Sequence, residues 1–209
     1  MITQLPVSAP RLTVAQRFPE AQHQNSPLAA IAALALACVL VAAGCASAPP
    51  LRTAEYVDLE RFAGDWFVIA TIPTPFERNA YRAVESYSPP ADGRIDTTFS
   101  FNRGGFDGER KTYRPTAFVR GDGSNAVWGM QFIWPFKAEY RIVHVDSAYQ
   151  VTVIGRSKRD YAWIMARDAV LTPAAYAELV GILRDEGYDV DKLRRVPQVP
   201  DQRAPVAAG

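Results

Sequence analysis

Short runs of alternating apolar and polar residues fill the chain between Trp66 and Arg167. In the clearest run, residues 95–101, apolar or small side chains alternate with Asp96, Thr98 and Ser100, after the turn sequence at 89–93. A period of two places alternate side chains on opposite faces, which is typical of antiparallel β-strands with one buried face. Three such faces carry the large side chains: Ile95, Thr97, Phe99 and Phe101 on one, Trp128, Met130 and Phe132 on the second, and Tyr161, Trp163 and Met165 on the third.

This pattern predicts eight strands, separated by turn residues. They lie near 65–72, 82–88, 94–102, 110–119, 126–134, 138–146, 150–156 and 161–167. Eight strands suffice to close a small barrel around one ligand, but the same strands could form a two-layer sandwich. The pattern alone leaves the choice between barrel and sandwich open.

One amphipathic helix follows the last predicted strand. Thr172 is a suitable N-cap, Pro173 fits the first helical position, and Gly187 stands where a left-handed residue ends a helix. Between them, apolar residues recur at helical spacing: Tyr176, Leu179, Val180 and Leu183. A single helix with such a stripe is expected to pack against the outside of the sheet.

The N-terminal region predicts a secretory leader. An uncharged run from Leu28 to Ala43 is followed by Gly44 and Cys45, and it is too short and too alanine-rich for a membrane span. The small residues before Cys45 resemble a bacterial lipobox, which implies a signal peptide over 1–44, acyl chains such as palmitate on Cys45, and a lipidated tether over 45–57. The alternative is an ordinary signal peptide with an incidental cysteine. Ala46 lacks the aspartate of inner-membrane retention, which indicates an outer-membrane protein, lipid-anchored and facing the periplasm.

Charge and cysteine content exclude several classes of protein. The whole chain carries a net charge of +1, and removal of the leader leaves equal numbers of acidic and basic residues. Nothing in this balance indicates nucleic-acid binding. Cys38 leaves with the leader and Cys45 would carry lipid, so no thiol remains for an internal disulfide, thiol catalysis or a cysteine-ligated metal. No cofactor is expected, and the residues 199–209 are expected to form a disordered tail.

A set of short motifs resembles the lipocalin family, in particular the bacterial outer-membrane lipocalins. Gly64-Asp65-Trp66 opens the first predicted strand, Asp146 and Tyr149 stand at a later turn, and Arg167 closes the eighth strand. Further similar segments are Leu59-Glu60-Arg61-Phe62, Pro75-Phe76-Glu77-Arg78, Pro135-Phe136 and Arg159-Asp160-Tyr161-Ala162-Trp163-Ile164. The resemblance covers about 58–198 and implies an all-β fold: an eight-stranded up-and-down antiparallel barrel with the helix outside. It also implies that Trp66 and Arg167 stack at the closed base.

Two ionisable residues are candidates for chemistry within the barrel. His144 is the only histidine after the leader, and no serine, cysteine or second histidine stands at a spacing that suits catalysis or a metal site, so a structural role is favoured. Glu85 shares its strand face with Tyr87. If Tyr87 points into the barrel, Glu85 does so too, and if Tyr87 points outward, Glu85 is solvated. The sequence leaves both alternatives open.

The family resemblance predicts a binding protein whose cavity takes a fatty acid or a lysophospholipid. The predicted wall is Tyr87, Phe99, Phe101, Trp128, Met130, Phe132, Tyr140, Ile142, Tyr161, Trp163 and Met165. Two alternatives remain, a small envelope enzyme that uses Glu85 and a structural lipoprotein with a filled barrel. The oligomeric state is open, and a homodimer is one possibility.

Overall fold

A computed structural model describes residues 49–199 of the protein. A short helix, α1 (Leu59–Phe62), precedes the sheet, and helix α2 (Pro173–Asp185) and a 3-10 turn (Val190–Lys192) follow most of it. The strands are β1 (Gly64–Ile72), β2 (Ala80–Tyr87), β3 (Arg94–Arg103), β4 (Arg110–Tyr113), β5 (Thr116–Val119), β6 (Val127–Ile133), β7 (Phe136–Val145), β8 (Val151–Gly155), β9 (Ala162–Ala166) and β10 (Arg194–Arg195). No described helix is long and apolar enough to cross a membrane.

The sheet closes on itself as an antiparallel barrel. From β1 to β9 the strands pair in chain order, with β4 and β5 together in the fourth position, and β9 returns to pair with β1, from Phe67 opposite Ala166 to Ile72 opposite Ala162. Closure leaves no free edge between the first and the last barrel strand. The predicted eight-stranded barrel is confirmed, and the sandwich is excluded.

The fourth barrel strand consists of two pieces. The sequence predicts one strand over 110–119, but the structure breaks it at Arg114 and Pro115, and both β4 and β5 pair with β3. Proline has no N–H for the ladder, so the strand is interrupted there. The carbonyl of Pro115 still accepts a hydrogen bond from the amide of Thr97, which keeps the two pieces in line.

Because the strands alternate in direction, the loops fall at two ends of the barrel. We call the end with the loops 88–93, 120–126 and 146–150 the base, and the end with the loops 73–79, 104–109, 134–135 and 156–161 the mouth. Helix α1 lies at the base, where the carbonyl groups of its last residues contact Arg167, the residue after β9.

Strands β1 and β2 separate toward the mouth. They pair only from Gly64 to Phe67, and the outer part of β1 pairs instead with the two-residue strand β10. Just beyond β10, the side-chain amide of Gln198 donates to the carbonyls of Val68 and Ala83. The C-terminal segment therefore fills a gap in the wall of the barrel.

Two apolar cores hold the fold together. The inner core lies inside the barrel, and the outer core lies between the sheet and α2, where Leu179 and Leu183 are buried. Thr172 caps α2 as predicted, because its hydroxyl accepts from the amide of Ala175, and Gly187 has a φ of +81° beyond the helix end.

The segment after residue 49 belongs to the folded body. Leu51 packs in the outer core and Val57 is fully buried in the inner core, and the amide of Ala54 donates to the carbonyl of Ile142. The tether predicted over 45–57 is therefore wrong from Leu51 onward. The leader, Cys45 and the predicted tail from Pro200 onward lie outside the described residues.

Candidate ligand-binding site

The base of the barrel is closed by a plug of four aromatic rings, those of Phe62, Trp66, Tyr87 and Trp128. The centre of the Phe62 ring lies 4.9 to 5.5 Å from the centres of the other three, in tilted and edge-on arrangements that favour aromatic contacts. The indole N–H of Trp66 donates to the carbonyl of Phe62, and that of Trp128 to the carbonyl of Asn125. Trp128, predicted as part of the ligand wall, thus belongs to the plug.

Arg167 completes the base from outside. Its guanidinium carbon lies 3.9 Å from the centre of the Trp66 ring, and its N–H groups donate to the carbonyls of Arg61, Phe62, Ala63 and Asp65. A Cβ atom on Gly64 would stand 3.2 Å from the guanidinium, and Gly64 has a φ of +97°, so glycine suits this position for two reasons. Burial lowers the pKa of Arg167 from its ordinary value.

Asp146 and Tyr149 organise the turn between β7 and β8. The Asp146 carboxylate accepts from the amides of Ala148, Gln150 and Val151. Tyr149 has a φ of +57°, and its hydroxyl accepts from the amide of Asp58 at 2.8 Å. Arg61 lies over the Tyr149 ring, 4.1 Å from its centre. Asp146 and Tyr149 therefore join the turn to α1 and hold the plug in place.

Above the plug, the inner wall consists of apolar and aromatic side chains. Phe99, Phe101, Met130, Ile142 and Met165 are buried there, as the alternation predicts. The rings of Trp128, Tyr140 and Trp163 stack in a series that leads toward the mouth, with centres 5.4 and 6.2 Å apart. Trp163 and Tyr113 are only partly buried, so the upper part of this wall is less tightly covered than the base.

Two carboxyl groups lie buried among these rings. Glu85 is opposite Trp66 and Phe99 in the ladder and is 6% exposed, so the inward alternative is correct. Burial raises the pKa of Glu85 to about 8, a hydrogen bond with Tyr87 opposes the shift, and the Glu77 carboxyl adds to it. The hydroxyls of Tyr87 and Tyr140 are hydrogen-bonded to each other. The deep interior thus contains the Glu85 carboxyl beside the hydroxyls of Tyr87 and Tyr140, and a pKa of about 8 keeps most of this carboxyl protonated at neutral pH.

Glu77 stands nearer the mouth. It lies in the loop after β1, and its carboxylate accepts from the indole N–H of Trp163 at 3.2 Å and from the amide of Thr74 at 2.9 Å. Burial raises its pKa despite these hydrogen bonds. The pair fixes the orientation of Trp163 at the top of the wall. The sequence did not single out Glu77 as a wall residue, because its loop position carries no periodic signal.

Two predicted wall residues are placed elsewhere. Phe132 is 55% exposed, because the ladder between β6 and β7 shifts register between Met130 and Ile133 and the strand ends there. Its predicted place in the wall is therefore wrong. Tyr161 precedes β9 in a mouth loop, partly buried, with the guanidinium of Arg156 5.2 Å from its ring centre. It lies at the rim and not among the packed rings.

His144 stands on β7 beside a second register shift. It is partly buried, and burial lowers its pKa. Within residues 49–199, no group of three or more histidine, cysteine, aspartate or glutamate side chains is arranged to hold a metal ion.

A basic groove opens at the mouth, beside the gap between β1 and β2. Its volume is about 870 Å³. The charged lining residues are Arg78, Lys192, Arg194, Arg195 and Asp160, and Tyr81 and Phe106 contribute rings. Their centres lie 5.2 Å apart in an edge-on contact. The groove combines aromatic surface with an excess of positive charge, which suits the polar end of an anionic amphiphile.

Comparison with known proteins agrees with this architecture. A family profile described as a lipocalin-like domain matches residues 57–198, which include the barrel, the plug and the C-terminal segment. The chain belongs to the lipocalin family. The outer membrane lipoprotein Blc of Citrobacter freundii is 30% identical to this lipocalin, over 82% of this chain and 97% of that protein.

Further relatives come from a plant and an animal. Temperature-induced lipocalin-1 of Arabidopsis thaliana is 30% identical over 71% of this chain and 83% of its own length, and bovine apolipoprotein D is 25% identical over 72% and 81%. Among solved structures, insecticyanin of Manduca sexta covers 74% of this chain and 87% of its own, with a TM-score of 0.59 and 15% identity. Lobster apocrustacyanin A1 covers 67% and 79%, with a TM-score of 0.54 and 13% identity. These two structures share the fold of this lipocalin.

Proposed function

We propose that this lipocalin is anchored to the bacterial outer membrane through Cys45 and binds one long-chain amphiphile, a fatty acid or a lysophospholipid. The observation that carries the proposal is the inner wall above the plug. Phe99, Phe101, Met130 and Met165 form an apolar surface there, and Trp163 and Tyr113 cover its upper end only in part. Such a surface, closed below by the plug and less tightly covered toward the mouth, suits an acyl chain.

The charges indicate how the ligand is oriented. A carboxylate or phosphate placed deep in the barrel would lose its hydration without gaining a cation, because none of the buried polar side chains within residues 49–199 is basic. At the mouth it would meet Arg78, Arg194 and Arg195. The ligand is therefore proposed to enter tail first, so that its head group stays among the cations at the mouth.

The relatives support the location and the ligand class. The relative from Citrobacter freundii, of which the alignment covers 97%, is described as an outer membrane lipoprotein. The segment before Pro49 of this chain contains the cysteine that such an anchor needs. The name of a second relative, apolipoprotein D, associates that protein with lipoproteins. The proposal includes a role in lipid storage, lipid transport or envelope maintenance.

Fluorescence titration tests the proposal. Straight-chain acids of increasing length, from decanoate to stearate, and a lysophospholipid are added to the protein while tryptophan emission is recorded. Of the four tryptophans, Trp66 and Trp128 are fully buried in the plug and Trp134 is 82% exposed. Trp163 is thus the reporter of the upper wall. Affinity is expected to rise by about 0.8 kcal/mol per added methylene until the space is full.

Two single variants give the matched controls. Trp163→Phe should abolish most of the signal, whereas Trp134→Phe should preserve it. A saturable signal that is equally strong for short and long acids would contradict a chain-binding wall. The absence of any saturable binding, checked by native mass spectrometry with lipid mixtures, would favour a filled structural barrel instead.

A further inference from the structure

Exposed apolar side chains concentrate at the mouth. We define the mouth rim as Phe76, Phe132, Ile133, Trp134 and Phe136. Phe76 lies in the loop after β1, and the other four surround the turn between β6 and β7. Four of them are 71% to 82% exposed, and Phe132 is 55% exposed. Among the described residues, the other large exposed hydrophobics are Tyr56 and Val170, which stand apart near the base.

This rim is unusual for a surface that meets only water. Isolated exposed apolar residues are common, but a contiguous group on one turn marks a site of interaction with another apolar phase or protein. Aromatic side chains, tryptophan above all, are enriched where a protein meets the lipid head groups. The chemistry of the rim therefore fits a bilayer surface.

The N-terminal segment enters the folded body at the mouth end. The carbonyl of Pro49 accepts a hydrogen bond from the Arg159 guanidinium, in the mouth loop between β8 and β9. Cys45 is four residues upstream, and four extended residues span at most about 14 Å. An acylated Cys45 would place its membrane close to the mouth and not to the base.

Charge at the same end complements anionic lipid. Arg78, Lys192, Arg194 and Arg195 line the groove at the mouth, against Asp160 as the acidic lining residue. Lys137, the residue after Phe136, holds its ammonium 3.4 Å from the ring centre of Phe118 on the outer wall. Basic side chains beside an apolar surface favour an anionic membrane.

We infer that the mouth rim docks on the bilayer that carries the protein's own anchor, so that the mouth of the barrel faces the membrane. Trp134 and Ile133 enter the head-group region, and the groove cations contact lipid phosphates. A ligand then moves between bilayer and barrel without crossing bulk water. The orientation rests on the proposed anchor at Cys45, and this route for the ligand rests on the proposed binding function.

Quenching by brominated phospholipid tests the docking. The acylated full-length mature protein is reconstituted into vesicles of phosphatidylethanolamine and phosphatidylglycerol, with or without bromine on the acyl chains near the head group. We expect the brominated lipid to reduce the emission of the wild-type protein, and Trp134→Phe to lose that part of the quenching. Quenching that persists in Trp134→Phe would come from lipid that reaches Trp163 inside the barrel.

A second variant moves the reporter to the other end. The double variant Trp134→Phe, Val170→Trp carries its exposed tryptophan near the base, where Val170 is 54% exposed. Its added tryptophan should escape the quenching. Equal quenching at both ends, or equal fractional quenching of wild type and Trp134→Phe, would overturn the proposal.

The test of docking and the test of ligand binding can fail independently of each other. Mass spectrometry shows whether Cys45 is acylated, and if it is not, the same proteins added to preformed vesicles still test the rim. If Trp134 contacts lipid but no acid binds in titration, the docking stands and the ligand proposal fails. If acids bind and Trp134 stays unquenched, the docking proposal fails alone.

Discussion

The guanidinium of Arg167 lies over the indole of Trp66, with its carbon 3.9 Å from the ring centre, and donates to four backbone carbonyls around α1. Three of these carbonyls belong to the end of α1, where helical carbonyls lack intrahelical partners. A single side chain therefore joins the last barrel strand, the first barrel strand and the helix that closes the base.

Replacing Trp66 with alanine should remove the centre of the plug. Trp66 is fully buried against Phe62, so the substitution leaves a large cavity and should lower the free energy of unfolding by about 3 to 5 kcal/mol. Chemical denaturation of the variant and the wild type measures the difference. A loss below about 1 kcal/mol would mean that the plug does not stabilise the barrel.

Replacing Arg167 with methionine should cost less than Trp66→Ala, because water can reach part of the site and hydrate the released carbonyls. We expect a loss of about 1 to 3 kcal/mol, mainly from unpaired carbonyls at the end of α1. Arg167→Lys is the matched control: it keeps the charge near Trp66 but cannot reach four acceptors. If Arg167→Lys is as stable as the wild type, the charge above the ring matters and the hydrogen bonds do not.

Gln198 holds the separated parts of β1 and β2 together, through the carbonyls of Val68 and Ala83. Because all three groups are buried, Gln198→Ala should leave two acceptors unpaired and cost about 1 to 3 kcal/mol. Lys192→Ala, which removes an exposed ion pair with Asp189, should change stability by less than about 1 kcal/mol. Hydrogen exchange in β10 and the outer half of β1 should accelerate in Gln198→Ala alone, and unchanged exchange would contradict this role of the C-terminal segment.

The sequence predicted the barrel strands well because the alternation of apolar and polar residues is a local signal. Closure of the sheet into a barrel does not change this alternation within each strand. The resemblance of Gly64, Trp66 and Arg167 to the family motif also placed the stacked pair at the base, which the structure contains. The orientation of Glu85 could not be predicted in this way, because it depended on whether Tyr87 points into the barrel. The ladder partners of Glu85, Trp66 and Phe99, show that its side chain points inward. The alternation shows which residues of a strand share a face. It does not show which of the two faces points into the barrel.

The errors arise where non-local geometry interrupts the alternation. Phe132 has the parity of Trp128 and Met130, but the register shift and the end of β6 expose it. Pro115, in contrast, is a local signal: it divides a strand that the alternation alone joins. The filling of the gap by Gln198 depends on a contact 130 residues along the chain from Val68, and no periodicity in a single sequence carries that information.

Cys45→Ser should abolish the proposed acylation and release the protein from the outer-membrane fraction, because each buried methylene of the proposed lipid anchor contributes about 0.8 kcal/mol of membrane affinity. Cell fractionation and mass spectrometry of the mature N-terminus measure both effects. Cys38→Ser lies within the predicted leader and is the control, with normal processing expected. A processed Cys45→Ser protein that remains in the outer membrane would contradict the lipobox interpretation.

Glu85 should make the stability of the barrel depend on pH. Its pKa is about 8 in the folded protein and near 4.5 when exposed in the unfolded chain, so the folded state holds the proton more tightly. Below about pH 4.5 both states are protonated. As the pH rises from 4.5 to 8, unfolding releases the proton, and the free energy of unfolding falls by at most about 1.4 kcal/mol per pH unit; above pH 8 this contribution is constant.

Glu85→Gln removes the titrating group and keeps most of its shape, so the variant should become more stable relative to the wild type as the pH rises, by about 2 to 5 kcal/mol between pH 4.5 and pH 8. Glu77→Gln should show a shift of the same sign, since burial raises the pKa of Glu77 too, and Glu109→Gln is the control because Glu109 is an exposed carboxylate beside Lys111. Denaturation at a series of pH values measures each difference. If the curves of the wild type and Glu85→Gln run parallel across this range, the carboxyl is hydrated in the folded barrel and the dry interior that the ligand proposal needs is absent.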